Sequence, residues 1–154
     1  MATQMDWLKN LASQLSWQFP RKANEMSALT LAYIGDAVWE VAIRMRVLQS
    51  GDNKPNQLHK KATTYVKAER QAFALHRLLP LLSGEETGIV RRGRNAKSAT
   101  VPKHASITDY RHSTAFECLL GFLFITGQYE RLHEVMNHSI VILENVDEKE
   151  NKKV

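Results

Sequence analysis

Two long apolar segments dominate the sequence, and each carries a glycine in its interior. The first covers residues 29–43 and contains Gly35, and the second covers residues 113–124 and contains Gly121. Apolar residues occupy nearly every side of both segments, which predicts two central, buried helices. An interior glycine costs a helix about 1 kcal/mol relative to alanine. One reason to keep it is the close approach of another backbone at that point.

Each apolar segment also carries one acidic residue, Asp36 in the first and Glu117 in the second. An unpaired buried carboxylate is expensive, so each must be hydrogen-bonded, paired, protonated or bound to a metal ion. On the pattern alone, two unrelated carboxylates that each pair with a nearby basic residue are the simpler interpretation. The alternative is that the two helices cross and bring both carboxylates to one cleft. A hard cation such as Mg²⁺ would find there the oxygen ligands that it prefers.

The positive charge of the chain is concentrated in one stretch. The net charge is +5. Residues 91–111 contain six basic residues against one acidic residue, a surplus of five that accounts for the whole excess. Such a concentration is typical of a surface that binds a polyanion. A basic stretch that holds a phosphate backbone, beside carboxylates that hold a metal ion, is the combination that a nuclease requires.

The rest of the sequence favours an all-α fold. With 154 residues the chain has the size of one domain, and its 7 glycines and 4 prolines are few for a turn-rich β architecture. The predicted helices cover residues 27–49, 55–65, 67–79, 84–92, 108–126 and 129–144. Residues 93–107 lack helical periodicity and are predicted to form a long basic loop.

We divide the chain into three parts. Residues 1–22 form an N-terminal extension with a short amphipathic helix, residues 23–146 form the main helical domain, and residues 147–154 form a charged tail without fixed structure. The single cysteine, Cys118, excludes an intramolecular disulfide and a cysteine-based zinc site, and it favours a cytoplasmic location. No apolar run approaches the roughly 20 residues that would cross a bilayer, so no membrane partner is expected.

The two apolar segments resemble the motifs of a known family. Residues 31–38, Leu-Ala-Tyr-Ile-Gly-Asp-Ala-Val, resemble the signature helix of ribonuclease III, and residues 114–121, Thr-Ala-Phe-Glu-Cys-Leu-Leu-Gly, resemble its second motif. Residues 55–61 and the basic residues 91–97 look like the compact bacterial branch called Mini-ribonuclease III. The resemblance covers about residues 27–145, and two separated motifs with the basic segment make it specific.

The chain departs from the larger members of that family at several acidic positions. They carry a glutamate where this chain has Ala32, usually another at Leu29, and an aspartate at Thr114. Only Asp36 and Glu117 of the acidic set carry over, which is the pattern of the compact branch. Glu40 follows Asp36 by one turn, and we expect an ion pair or an indirect role for it rather than direct metal binding.

The resemblance implies a ribonuclease III-like helical homodimer that hydrolyses phosphodiester bonds of double-stranded RNA with Mg²⁺, for which Mn²⁺ could substitute. It makes Asp36 and Glu117 the catalytic metal ligands. It also implies maturation of the precursor of large-subunit (23S) ribosomal RNA, products with 5′-phosphate and 3′-hydroxyl ends, and a large-subunit ribosomal protein as a partner. The residues expected to contact RNA are Arg91, Arg92, Arg94, Asn95, Lys97, Lys103 and Arg111.

The alternative hypothesis is a non-catalytic, dimeric helical module that binds RNA or the ribosome. Asp36 and Glu117 favour cleavage over this alternative, because RNA binding gives no reason to place two acids in apolar helices.

Overall fold

The computed structural model describes residues 6–15, 18–97, 101, 103 and 106–153. These residues form seven α-helices and no strand, which confirms the all-α prediction. The helices are α1 (Asp6–Leu15), α2 (Ala28–Leu48), α3 (Pro55–Val66), α4 (Ala68–Leu78), α5 (Gly84–Asn95), α6 (Ile107–Ile125) and α7 (Tyr129–Asn151). Among the residues so described, no helix is long and apolar enough to cross a bilayer.

The ends of α2 and α6 follow from local sequence signals. The Ser27 hydroxyl accepts a hydrogen bond from the backbone N–H of Thr30 at 3.1 Å and so caps the start of α2. Gly51 and Gly127, which follow the two helices, have φ values of +88° and +71°. Side chains other than glycine rarely adopt this conformation, so both glycines allow the chain to turn away where the sequence predicted a stop.

Helix α6 lies at the centre of the fold, where it packs against α2, α4, α5 and α7. Phe116, Leu119 and Leu120 are fully buried along it, as the sequence predicted. The ring of Phe116 meets that of Trp39 edge to face at 5.0 Å, and the Trp39 indole N–H donates to the Tyr65 carbonyl at 3.1 Å. Trp39 and Phe116 are therefore core residues, and their faces are closed to a nucleic-acid base.

One side of α2 remains open to solvent, so the prediction of a fully buried helix is wrong for this element. The helix packs against α6, α3 and α5, and these neighbours cover only part of its circumference. Tyr33 is 78% exposed. The large apolar side chains exposed along this helix are Leu29, Tyr33, Val41, Met45 and Leu48. An apolar pattern shows that a surface avoids water, but it does not show what covers that surface.

Two helices continue beyond their predicted ends. Helix α5 reaches Asn95, so the first three residues of the predicted 93–107 loop are helical. Gly93 lies against α6, where an added Cβ would come 2.7 Å from the Ala115 Cα, so this glycine serves packing rather than helix termination. Helix α7 reaches Asn151, and Arg70 binds Asp147 at 2.7 Å. The expected unstructured tail is therefore wrong for residues 147–151.

A buried ion pair joins α5 to α7. The Glu86 carboxylate accepts two hydrogen bonds from the Arg131 guanidinium, at 2.8 and 2.9 Å, and Arg131 also donates to the Leu81 carbonyl. The Glu86 side chain is 5% exposed. The bonds from Arg131 are the main reason that the pKa of Glu86 lies below its usual range. This pair fixes the start of α7 against α5, the helix that carries the basic residues.

Candidate active site

Two glycines bring the backbones of α2 and α6 into direct contact. A Cβ added to Gly35 would lie 2.8 Å from the Gly121 amide nitrogen and closer still to the Glu117 carbonyl oxygen. A Cβ added to Gly121 would lie 3.1 Å from the Gly35 amide nitrogen and closer still to the Leu31 carbonyl oxygen. Each glycine therefore occupies a position where a side chain would push the two helices apart. This is the close backbone approach that the sequence suggested.

The crossing brings Asp36 and Glu117 together. Asp36 follows Gly35 directly and Gly35 faces the backbone of Glu117, so the two acids lie at the same helix crossing, and the charge of Asp36 acts on Glu117 across the cleft between them. Asp36 is exposed and Glu117 is half-buried. Neither forms an ion pair with a basic residue in the part of the chain that the structure describes. The interpretation in which each acid pairs with its own basic neighbour is therefore not supported.

Burial and the charges of neighbouring carboxylates disfavour the charged forms of these two acids. Burial raises the pKa of Glu117 to about 8, the charges of Asp36 and Glu40 add to the rise, and a hydrogen bond from Gln71 opposes it. The pKa of Asp36 is also raised, first by burial and then by the charge of Glu40. A cation between the carboxylates would relieve both causes, because it replaces lost solvation and cancels the repulsion.

The donor set fits a hard divalent cation. Carboxylate oxygens are the ligands that Mg²⁺ prefers, and this ion is commonly held by one or two carboxylates with water and substrate phosphates. Within residues 6–15, 18–97, 101, 103 and 106–153, no group of three or more His, Cys, Asp or Glu side chains is placed to hold a metal ion. An ion held by Asp36 and Glu117 would still need further ligands, such as the water and substrate phosphates that Mg²⁺ commonly uses.

Glu40 lies one turn after Asp36 and forms an ion pair with Arg44. The Arg44 Nε donates to a Glu40 carboxylate oxygen at 3.3 Å. This is the ion-pair role that the sequence favoured for Glu40. The residue still acts on the site from a distance, because its negative charge raises the pKa of both Asp36 and Glu117.

Gln71 is a site residue that the sequence did not reveal. It lies on α4, is 1% exposed, and donates a side-chain hydrogen bond to Glu117. Its neighbours Ala72, Ala74 and Leu75 are buried and apolar. The sequence shows only one amide in a segment whose other inward-facing residues are apolar. A single glutamine forms no motif, so the pattern does not mark Gln71 as a functional residue.

The predicted RNA-contacting residues 91–97 gather beside the start of α2. Helix α5 carries Arg91, Arg92, Arg94 and Asn95, and all four are exposed, as is Lys97 just after the helix. A shallow depression of about 510 Å³ separates the end of α5 from the start of α2. It is lined by Ser27, Ala28, Leu29, Arg91, Arg92, Asn95, Ala96 and Lys97.

Helix α2 connects this depression to the carboxylates. Ser27 borders the depression and precedes Asp36 by nine residues, which corresponds to about 13 Å along a helix. Arg92 has a structural contact, because its guanidinium donates a hydrogen bond to the Met26 carbonyl at 2.7 Å and so joins α5 to the start of α2. Arg91, Asn95 and Lys97 leave more of their hydrogen-bonding capacity toward solvent.

Three predicted contacts lie outside the depression, because Arg94 is exposed on α5 but is not among the residues that line it. Arg111 is exposed on α6, six residues before Glu117, and Lys103 is exposed in the segment between α5 and α6. The structure therefore groups the predicted residues 91–97 along one surface but does not bring Lys103 and Arg111 into the same depression.

Comparisons with known proteins match this architecture. The Ribonuclease III domain model matches residues 29–128. The Mini-ribonuclease 3 of Brevibacillus brevis is 45% identical over 127 residues, covering 82% of this chain and 95% of that protein. The Mini-ribonuclease 3 of Symbiobacterium thermophilum is 46% identical over 126 residues, covering 80% and 97% respectively. The crystal structure of a Fusobacterium nucleatum protein superposes with a TM-score of 0.72 at 32% identity, covering 81% of this chain and 99% of that chain.

These matches agree with the motifs in residues 31–38 and 114–121, and they extend over most of the chain. The chain belongs to the ribonuclease III family, in its Mini-ribonuclease 3 branch, and is an endoribonuclease.

Proposed function

We propose that this endoribonuclease cleaves double-stranded RNA with a divalent metal ion, Mg²⁺ or in its place Mn²⁺, held by Asp36 and Glu117. The observation that carries the proposal is the glycine-to-glycine crossing of α2 and α6, which places two mutually repelling carboxylates in one cleft without a basic partner among the described residues. Such a pair destabilises the metal-free protein and is explained by a cation that binds between the two groups.

In this proposal, one set of residues binds the metal ion and another set binds the RNA. Asp36 and Glu117 provide the oxygen ligands. When bound, the ion supplies Lewis acidity and positive charge for phosphodiester hydrolysis. Arg91, Arg94 and Lys97 contact phosphates and orient the backbone relative to the cleft. Double-stranded RNA suits this arrangement, because A-form helices are recognised mainly through shape, phosphates and ribose hydroxyls.

The finer features of the reaction rest on the family resemblance. We propose that the natural substrate is the precursor of 23S ribosomal RNA, that a large-subunit ribosomal protein assists its recognition, and that the products carry 5′-phosphate and 3′-hydroxyl ends. A cytoplasmic location fits the single cysteine, which is free and buried. End-labelling of the products distinguishes these ends from the reverse polarity.

We also propose that the chain works as a homodimer joined through the exposed apolar side of α2. Its large apolar residues recur at intervals of four or eight along the helix, at positions 29, 33, 41 and 45, and a two-fold axis could place this stripe against its copy. Asp36 lies on the same helix, so the two active sites of such a dimer would come close enough to cut both strands of one duplex.

Oligomeric state tests the dimer directly. Tyr33→Lys places a charge in the centre of the stripe and should raise the dimer dissociation constant at least tenfold in sedimentation equilibrium. Val141→Lys is the matched control, because Val141 is 45% exposed on α7, outside the stripe. A dimer that survives Tyr33→Lys and dissociates with Val141→Lys would move the interface to α7.

The central experiment incubates purified protein and its variants with a structured RNA precursor and Mg²⁺. Asp36→Asn and Glu117→Gln should each reduce cleavage at least a hundredfold while RNA binding persists. The control is Asp52→Asn, a similar substitution at a partly exposed residue that pairs with Lys61 away from the cleft. Full activity in both site variants would refute the assignment. Intact RNA with the wild-type protein, despite binding and across Mg²⁺ and Mn²⁺, would instead support the non-catalytic RNA-binding alternative.

A further inference from the structure

Gln71 is a polar side chain in an apolar environment. It lies on α4 where this helix packs against α6, and 1% of its surface is exposed. A side-chain amide offers two N–H donors and one carbonyl oxygen with two acceptor positions. Buried polar atoms nearly always have hydrogen-bond partners, and an exception requires an explanation.

Of the two hydrogen-bonding groups in the Gln71 amide, the NH₂ group has a partner and the carbonyl oxygen has none among the described residues. Its amide N–H group donates to Glu117, and this bond favours the charged form of the carboxylate. Its carbonyl oxygen, Oε1, is buried without a partner among the residues that the structure describes. A buried acceptor without a hydrogen bond destabilises the folded protein. An apolar side chain of similar shape at this position would avoid that cost. Packing and stability therefore do not account for a glutamine at this position.

The position beside Glu117 does account for it. We propose that Gln71 is a positioning residue, which orients the Glu117 carboxylate through its amide N–H. This inference rests on the proposed metal site. A carboxylate that can rotate freely binds a cation less tightly than one held in a single orientation, and loss of such an outer hydrogen bond commonly costs 10- to 100-fold in metal affinity or activity.

Gln71→Met separates positioning from packing. Methionine keeps the length and approximate shape of the side chain but removes the amide. The positioning role predicts that the thermal midpoint of the metal-free protein stays equal or rises, while the dissociation constant for Mn²⁺, measured by electron paramagnetic resonance, increases at least tenfold. The Mg²⁺ concentration for half-maximal cleavage should increase in parallel.

Two further variants make the result interpretable. Ser139→Ala is the matched control, because Ser139 is fully buried on α7 and donates to the Val135 carbonyl at 2.7 Å. It should lower the thermal midpoint and leave Mn²⁺ affinity unchanged. Glu117→Gln should lose Mn²⁺ binding. If Gln71→Met behaves like Ser139→Ala, the residue is structural and the positioning role is refuted. If the wild-type protein itself binds no Mn²⁺, the proposed metal site fails and the positioning role with it.

A measurement on the wild-type protein tests the same role without a substitution, so it remains valid even if the Gln71→Met variant does not fold. The side-chain NH₂ resonances of Gln71, assigned in a ¹⁵N-labelled sample, should shift when Mg²⁺ is added and should exchange slowly with water. Unchanged resonances at a Mg²⁺ concentration that saturates the Glu117 site would overturn the proposal.

Discussion

Glu117→Gln should change how the stability of the metal-free protein depends on pH. Folding raises the pKa of this carboxyl group from its usual 4.5 to about 8. The folded protein therefore holds a proton that the unfolded chain has already released at neutral pH. For a group whose folded pKa is raised, the stabilising contribution is complete below the unfolded value. It is then lost progressively as pH rises through the folded value.

The size of the effect follows from the shift. Each unit of differential pKa corresponds to about 1.4 kcal/mol. Between pH 5 and pH 8 the wild-type protein should lose about 3 kcal/mol of its free energy of unfolding through Glu117 alone. For a chain of this length, that loss corresponds to a fall of roughly 6 to 12 °C in the thermal midpoint. Glutamine does not titrate, so the variant should lack this part of the loss.

The assay is urea denaturation of both proteins in the presence of a chelator, at half-unit steps from pH 5 to pH 8. Groups away from the cleft titrate equally in both proteins, so the informative quantity is the difference between their unfolding free energies at each pH. An exposed substitution of the same kind, Glu148→Gln, provides the baseline. Saturating Mg²⁺ should restore much of the wild-type stability at pH 8 and affect the variant little.

Parallel stability profiles for the wild type and Glu117→Gln would refute this reasoning. They would mean that Glu117 ionises in the folded protein as easily as in the unfolded chain. The cleft would then be better hydrated than the packing of α2 against α6 indicates.

Three other perturbations test separate parts of the structure. Gly121→Ala should lower the free energy of unfolding by about 3 kcal/mol in urea denaturation, because its Cβ would collide with the α2 backbone. The control is Gly88→Ala within α5, where the added Cβ meets open space, and it should stabilise the protein by about 0.5 kcal/mol. Glu86→Gln should cost about 3 kcal/mol at pH 7, because it breaks a buried ion pair, and the difference from wild type should shrink as pH falls through the lowered pKa of Glu86. Replacing Arg91 and Arg94 with alanine should reduce the slope of log affinity for double-stranded RNA against log salt by about 2, and an unchanged slope in filter binding would place the phosphate contacts elsewhere.

The parts of the fold that the sequence predicts are those fixed by local patterns. Ser27 and Gly51 mark the limits of α2 because a capping hydroxyl and a positive φ act within a few residues. The crossing of Gly35 and Gly121 was also predictable, because a glycine inside an apolar helix costs stability unless another backbone approaches it. The two acids then come together because each is close in sequence to one of these glycines.

The parts that escaped prediction depend on which surfaces meet. Gly93 resembles a helix breaker in the sequence, yet the structure uses it to pack α5 against Ala115. The apolar residues of α2 predict burial but do not distinguish a neighbour in the same chain from a second copy, which is why Tyr33 remains exposed. The role of Gln71 is visible only once α4 is packed against α6, because its partner Glu117 lies 46 residues away in the sequence.

The glycine crossing and the raised pKa of Glu117 are two consequences of one arrangement. Because the backbones of α2 and α6 touch at Gly35 and Gly121, the two helices cannot draw closer, and separating them would break the core. A movement of the helices therefore cannot relieve the burial of Glu117 or its repulsion by Asp36, and both causes favour a protonated Glu117. A cation bound as proposed would have to displace that proton, so its apparent affinity should fall by up to tenfold for each unit of pH below about 8. The rigid packing that makes the metal-free cleft unfavourable would then be the same packing that keeps both carboxylates in place for the proposed ion.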